Sequence, residues 1–370
     1  MDTSKPTILI LTVPLGGGHL NLAQSLKGLL DAHYEVVIAD PQSAGVDRWY
    51  SFVSRYFVPY LQWQFICTDN ALASFGLHRI MTPANLGRLL HVIEQVQPQL
   101  IITTHAFLSY ATARAIERYR KRIPLVFQLT DLGRLHMTWF TEKHADAYLA
   151  PTREIFAQTL KQGIDKTRVH LTGRPVRSQF LDAPAGERNA ILTSLGFDPT
   201  LFTVFLQGGA KGSASVDRTI KSLLRINVPI QIILAVGNNQ QMAARYAENK
   251  QVRALPFVEK IAPYMAAADV VAGKAGASFI TEAFMLEKPF IVTAFIPSQE
   301  TPNLHFIERH NLGWICPKLV NQQTLFTKLA RNPEMLTEKV ESIRAYQAWN
   351  KQANQHILPI IDGLVATAMR

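Results

Sequence analysis

Cysteine is scarce in this chain, with only Cys67 and Cys316 in 370 residues. Their separation matches neither a metal-ligand spacing nor a disulfide framework, so a zinc-bound or disulfide-stapled fold is excluded. Both thiols fit packing roles in a reducing cytosol. No apolar run approaches the roughly 20 residues needed to span a bilayer. MDTSKPTILILTV runs straight into a strand pattern, so no signal peptide is expected. Charged residues are only 18% of the chain and hydrophobic residues 48%, which excludes a disordered polymer. There is also no tail of one sign. Lys plus Arg outnumber Asp plus Glu by 18 to 13 in residues 1–175 and by 20 to 15 in the rest. That diffuse excess does not suit nucleic acid, but it does suit an anionic membrane surface or anionic substrates. No carboxylate-rich cluster with metal-ligand spacing is evident, and neither a metal nor another cofactor is expected.

What is present is an α/β pattern repeated twice, and the length suffices for two domains. Thr7 to Val13 is a near-continuous apolar strand, as expected for a parallel sheet covered on both faces. Pro14-Leu15-Gly16-Gly17-Gly18-His19 follows, then a helical pattern and a strand from Tyr34 to Ala39. Further strands are expected at Leu100–Thr103, Leu125–Leu129 and Ala147–Ala150, with helices over 85–96, 108–122 and 152–162. A polar stretch from Asp182 to Thr200 separates the halves. Leu201–Leu206 then opens the second half as a strand, with glycines (Gly208, Gly209) and a helix after it. Strands follow at Ile230–Val236, Val252–Phe257, Asp269–Ala272 and Phe290–Phe295. The expected domains are 1–175 and 176–345, with a helical segment 346–370 that packs back on the first domain.

Two places in this pattern suit chemistry. Between the strands at Asp269–Ala272 and Phe290–Phe295 lies GKAGAS, Gly273 to Ser278, followed by a helix. A helix opening on a Gly-containing loop directs free N–H groups outward, which suits a phosphate or diphosphate. Glu282 stands about one turn in, within reach of ribose hydroxyls. The second strand ends in a polar loop with Gln299, Glu300 and Asn303, suited to sugar hydroxyls. A nucleotide sugar satisfies all three features. In the first half, His19 stands at a helix start above the sheet's C-terminal edge. There it either takes a proton as general base or bonds only backbone and solvent. His105 also lies at a strand's C-terminal end and is equally a structural or an acceptor-contacting residue.

Asp47 to Pro83 is unusual in composition. Trp49, Tyr50, Phe52, Tyr56, Phe57, Tyr60, Trp63 and Phe65 put eight aromatics into seventeen residues, with Arg48 and Arg55 among them. Trp and Tyr beside Arg favour the headgroup level of a bilayer. The residues alone fit an aromatic packing segment equally well.

These motifs resemble those of the monogalactosyldiacylglycerol synthases and processive diacylglycerol glycosyltransferases. They are also similar to those of the related N-acetylglucosaminyltransferase that forms lipid II. The shared pattern is GGGH with Ala23, the TD–H–WF order of Asp131, His136 and Trp139, and Gly-x-Pro-x-Arg ending at Arg177. It continues with the Gly273–Gly276 loop, Glu282, and Gln299-Glu300 with Asn303. One departure is Ala277-Ser278-Phe279, where the glycolipid synthases usually have Pro-Gly-Thr.

The resemblance implies the GT-B fold, two doubly wound Rossmann-like domains facing across a cleft. It implies an inverting transferase that moves a hexose from a UDP-sugar to a lipid such as diacylglycerol. His19 and Asp131 would be catalytic. Gly209, Gly276, Ala277, Ser278, Glu282, Gln299, Glu300, Asn303 and Arg177 would bind the donor, with Phe257 and Val258 at the uracil. Arg177 fits a diphosphate ligand and a linker salt bridge equally. Gly18, His105, His136, Trp139, Trp49, Tyr56 and Trp63 would meet the acceptor. The lipid-acceptor members insert a hydrophobic segment where the aromatics fall, which implies a cytoplasmic protein peripheral on the inner face of the membrane. Two other readings stay open: a transferase of this fold with a polyprenyl-linked or soluble acceptor, and a non-catalytic nucleotide-sugar or lipid-binding protein.

Overall fold

The structure is a computed structural model. It describes residues 5–13, 17–42, 58–119, 121–181, 187–207 and 214–368. Trp49, Tyr56 and Gly209 lie outside the described residues. The chain divides into two compact units. The first comprises Met1–Arg177, Pro297–Pro302 and Trp349–Arg370; the second comprises Ser178–Ile296 and Asn303–Ala348.

The first unit is built on six parallel strands. They are β1 (Thr7–Leu11), β2 (Glu35–Ala39), β3 (Leu100–Thr103), β4 (Leu125–Gln128), β5 (Ala147–Ala150) and β6 (Val169–Leu171). Their order is β2-β1-β3-β4-β5-β6. The apolar runs form strands because both faces are covered. Leu9, Ile101 and Phe127 face one core, and Ile8, Ile10, Ile102 and Val126 face another. The second core is completed by Ile357, Ile361 and Val365 from the helix Ile357–Ala368.

The strand order reverses between β1 and β3. β1 pairs with β2 on one side and β3 on the other, and Ile8 lies opposite Leu100. In an open parallel sheet the loops after such a pair diverge and leave a crevice at their C-terminal ends. Here those loops lead to His19 and His105. Buried threonines hold the two strand ends together there. The Thr104 N–H donates to the Leu11 carbonyl at 3.0 Å, and the Thr104 hydroxyl donates to Thr12 Oγ1 at 2.9 Å.

The second unit repeats the scheme. Its strands are β7 (Phe202–Gln207), β8 (Ile230–Gly237), β9 (Val252–Pro256), β10 (Val270–Lys274), β11 (Phe290–Ala294) and β12 (Gly313–Ile315). Their order is β12-β11-β10-β7-β8-β9, all parallel. The reversal falls between β7 and β10, so the loop after β10 lies at the switch point. Gly273, the last residue but one of that strand, is glycine because nothing larger fits. A Cβ there would come within 2.5 Å of the Gln207 carbonyl and 2.8 Å of the Phe279 ring. Phe279 itself packs edge-on against Phe290, with ring centroids 5.2 Å apart. The ring at the departure from Pro-Gly-Thr is therefore part of the strand–helix packing.

The elements differ from the sequence expectation in several places, including helices at Val58–Thr68 and Arg188–Ser194. The helix expected over 85–96 extends back to Ala71 and passes through Pro83. Asn70 starts it, its side chain accepting the Ala73 N–H at 2.9 Å. Asn303 belongs to the helix Thr301–Arg309 rather than to a loop. β12 is an additional three-residue edge strand.

Ile361 is fully buried against the first sheet. Ile361→Ala is expected to cost about 2–5 kcal/mol through lost transfer energy and a residual cavity. Urea unfolding of the purified variant measures this. A loss below about 0.5 kcal/mol would show that the terminal helix does not pack there.

Candidate active site

At the first switch point the helix Gly18–Leu30 starts from Gly17, whose φ of 78° lies in the left-handed region. Gly18 and His19 form its first turn. Thr104 O, at the end of β3, accepts a hydrogen bond from His19 Nδ1 at 2.7 Å. A carbonyl can only accept, so Nδ1 carries the proton and Nε2 keeps its lone pair. His105 takes the opposite tautomer: its Nδ1 accepts the Phe107 N–H at 3.3 Å, which leaves the proton on Nε2. The two rings meet edge to face, with centroids 4.5 Å apart.

Electrostatics keep both rings neutral. Burial lowers His19 to about 4, and the Arg174 guanidinium pushes the same way against the Thr104 hydrogen bond. His105 is held well below the ordinary histidine range, first by burial and then by His19 and His78. Arg174, absent from the sequence expectation, is buried, and its Nη1 donates to the Thr130 carbonyl. Asp131, the next residue, is half-buried in the turn after β4, where the Thr130 hydroxyl donates to its carboxylate at 3.4 Å. His19, His105, Arg174 and the Thr130–Asp131 turn thus belong to one neighbourhood.

Two expected acceptor contacts have structural roles instead. Trp139 is 3% exposed and packs with Phe127 in the core, so its ring has no face for an acceptor. His136 is engaged at both ring nitrogens. Its Nδ1 accepts the Thr138 N–H at 3.2 Å, capping the short 3-10 turn Met137–Phe140, and its Nε2 donates to the Phe65 carbonyl at 2.9 Å. It fastens the helix Val58–Thr68 to the first unit. Trp63 on that helix is 62% exposed. Tyr60, Ile66, Leu72, Phe75 and Ile80 are exposed alongside it in sequence, on this helix and the next. Among the described residues, no helix is long and apolar enough to cross a membrane.

In the second unit the helix Ala277–Met285 starts at Gly276, whose backbone is extended and makes no side-chain cap. Ala277 and Ser278 occupy its first turn, and Glu282 is buried one turn further on. Asn303 Nδ2 donates to the Ala275 carbonyl at 3.0 Å, which ties the helix Thr301–Arg309 to the loop after β10. Gly276, Ala277, Ser278, Glu282 and Asn303 thus gather around one loop. Phe257 is 73% exposed just past β9, and Val258 is half-buried.

Gln299 and Glu300 fall in the segment Pro297–Pro302, which clusters with the first unit. Gln299 is exposed and Glu300 buried, and Ser298 before them adopts a left-handed φ of 67°. Such a conformation is costly for a non-glycine residue. Within the first unit, a Cβ on Gly133 would come within 1.9 Å of the Pro302 carbonyl. The turn after Asp131 therefore lies against this segment. Arg177 is half-buried at the end of the first unit's main stretch. No group of three His, Cys, Asp or Glu able to hold a metal occurs among the described residues.

Two parallel α/β sheets, each with a loop at its strand-order reversal, define a two-domain, doubly wound α/β architecture. Comparison with known proteins gives two family matches. Residues 19–176 match the monogalactosyldiacylglycerol (MGDG) synthase domain, and residues 203–348 match the glycosyltransferase family 28 C-terminal domain. A glycosyltransferase domain model thus matches in each half of the chain.

A probable chloroplastic MGDG synthase from Glycine max is 26% identical over 85% of this chain and 63% of its own length. The chain thus spans less than two thirds of that relative. A processive diacylglycerol beta-glucosyltransferase from Staphylococcus aureus is 25% identical over 93% of this chain and 89% of its own length. Among solved structures, Acinetobacter baumannii MurG aligns with a TM-score of 0.63 at 16% identity, covering 97% of this chain and 99% of that one. Anabaena HepE with UDP-glucose aligns with a TM-score of 0.56 at 17% identity, over 96% and 99%. The fold is accordingly GT-B.

The buried histidines make stability depend on pH. His78, whose Nε2 donates to the Thr138 carbonyl at 3.1 Å, is lowered to about 4 mainly by burial, as is His19. The unfolded chain therefore binds protons that the folded one refuses. Stability from these groups is full above about pH 6.5 and is lost as pH falls towards about 4. The urea midpoint should drop across this window. His78→Gln, which keeps a donor for Thr138 but does not titrate, should flatten the drop. Parallel wild-type and variant curves would contradict the assignment.

Proposed function

We propose that this chain is an inverting hexosyltransferase. It moves a sugar from a UDP-sugar to the free hydroxyl of diacylglycerol or a similar membrane lipid. The observation that carries this reading is the tautomer of His19: with Nδ1–H committed to Thr104, a neutral Nε2 lone pair stands at the crevice of an acceptor-domain sheet. The two family domains support the same division, acceptor and base in the first unit, donor in the second.

In the reaction, His19 Nε2 takes the acceptor hydroxyl's proton as the oxygen attacks the anomeric carbon from the face opposite UDP. The carbon–oxygen bond to the diphosphate breaks, and UDP leaves with the electron pair. Asp131 positions the acceptor hydroxyl or orients the histidine. The N–H groups at Gly276, Ala277 and Ser278, together with Gly209 and Arg177, stabilise the leaving diphosphate. Glu282 meets the ribose, Phe257 and Val258 the uracil, and Gln299, Glu300 and Asn303 the sugar hydroxyls. Gly18 and His105 line the acceptor side. UDP and UDP-glucose bound to the HepE structures, and diacylglycerol in the name of the staphylococcal relative, agree with this donor and acceptor class.

The acceptor lies in a membrane, so the enzyme must work at its surface. Trp63, Tyr60 and Ile66 expose apolar area on one helix, and Leu72, Phe75 and Ile80 on the next. Trp49 and Tyr56 continue that stretch in sequence. Aromatic and aliphatic side chains of this kind partition into the headgroup region, and the chain's net charge of +10 adds attraction to anionic lipid. These features support a peripheral protein, which we assign to the inner face of the cell membrane.

Transfer from radiolabelled UDP-glucose or UDP-galactose to diacylglycerol in mixed micelles tests the activity. His19→Ala should lower turnover by roughly two to four powers of ten with the fold retained by circular dichroism. Full turnover would remove His19 from the mechanism. For the membrane, Trp63→Ser with Ile66→Ser should release the protein from phosphatidylglycerol vesicles at low salt. Unchanged co-sedimentation of that double variant would refute docking through this helix.

A further inference from the structure

Gly173, between β6 and Arg174, has a left-handed φ of 69°, and a Cβ there would come within 2.7 Å of Asn350 Oδ1 and of Asn354 Nδ2. Glycine thus lets this backbone lie flush against the end of the helix Thr337–Asn354. Asn350 is fully buried. Its Oδ1 accepts the Arg174 N–H at 2.7 Å, and its Nδ2 donates to the Arg174 carbonyl at 3.0 Å. Asn354 Nδ2 donates to the Thr172 carbonyl at 2.9 Å. An amide bonded to both backbone groups of one residue acts as a strand neighbour would and fixes that residue's direction. Only a carboxamide of this length offers one acceptor and one donor in that arrangement. An aspartate would lose the donor, and a glutamine would carry it a bond too far.

The residue fixed in this way is the buried arginine of the base site. Arg174 reaches from this clamp to the carbonyl of Thr130, directly before Asp131, and it acts electrostatically on His19. We propose that Asn350 is a positioning residue for the base site: by clamping the backbone of Arg174 it places the guanidinium that holds the Thr130–Asp131 turn and sets the charge environment of His19. The inference rests on the reading of His19 as the base. It adds that the end of the helix Thr337–Asn354, remote in sequence from every motif of the site, is part of that machinery. Asn350 touches no reacting atom and acts through Arg174.

The test combines a spectroscopic and a kinetic readout. The His19 ring is followed by NMR against pH in the full chain without donor or acceptor. The titratable and charged groups of its neighbourhood are His105, Arg174 and, in the turn that Arg174 holds, Asp131. Arg174→Gln removes the cation and sets the reference shift, expected upward by about half a pH unit or more. Asn350→Ala should shift His19 in the same direction and lower kcat by about tenfold, with KM for the UDP-sugar within about twofold. Asn354→Ala, which removes only the Thr172 bond, should leave both unchanged.

If Asn350→Ala does not fold, Asn350→Ser keeps one polar group and carries the same two readouts. A folded Asn350 variant with wild-type His19 titration and wild-type kcat would reduce the clamp to a stabilising contact and overturn the proposal. The titration does not use turnover. It can therefore fail while transfer succeeds, or succeed while transfer fails, and so separates this inference from the reaction assignment.

Discussion

The reversal of strand order is the constraint on which the rest depends. Because β1 lies between β2 and β3, the chain leaves β1 and β3 in opposite directions, and no helix can cover the gap above both. His19 and His105 are the residues that this gap brings together. The buried pair Thr12–Thr104 extends the strand pairing by one step and turns the Thr104 carbonyl to the imidazole. In the second sheet the β7–β10 reversal does the same for the Gly276–Ser278 turn. Side-chain chemistry at each point is thus secondary to a topological fact, which itself follows from right-handed crossovers between buried parallel strands.

That topology was legible because buried parallel strands appear as uninterrupted apolar runs, as in TILILTV or FIVTA. β12 was not: Gly313-Trp314-Ile315 is too short and opens on glycine, and only pairing with β11 makes it a strand. The long helix through Pro83 was hidden because proline normally ends a helix, whereas here it sits on an exposed face.

Motifs located His19, Asp131 and the Gly276–Asn303 cluster by position, but they could not separate binding from packing. Trp139 and His136 share the TD–H–WF string with Asp131, yet one fills the core and the other spends both nitrogens on backbone and cap. Arg174 had a faint signal, a charged residue directly after a glycine in a turn. Asn350 had none, because the contact that gives it meaning joins residues 176 positions apart.

The charge balance of the proposed reaction explains why such distant support is required. A histidine lowered to about 4 is always deprotonated at neutral pH, but it is also a weak base. Accepting the acceptor's proton places a cation in a desolvated spot beside Arg174, and that is unfavourable on its own. The cost falls if negative charge develops nearby at the same moment. The departing UDP gains one negative charge as its bond to the anomeric carbon breaks, and the Asp131 carboxylate supplies a fixed one. Proton transfer and departure of UDP then favour each other, and a site without donor has little tendency to ionise its base. Arg174 increases this coupling by penalising the imidazolium until the anion is present. A guanidinium displaced by even one ångström would weaken that penalty and loosen the Thr130–Asp131 turn together, because one side chain serves both.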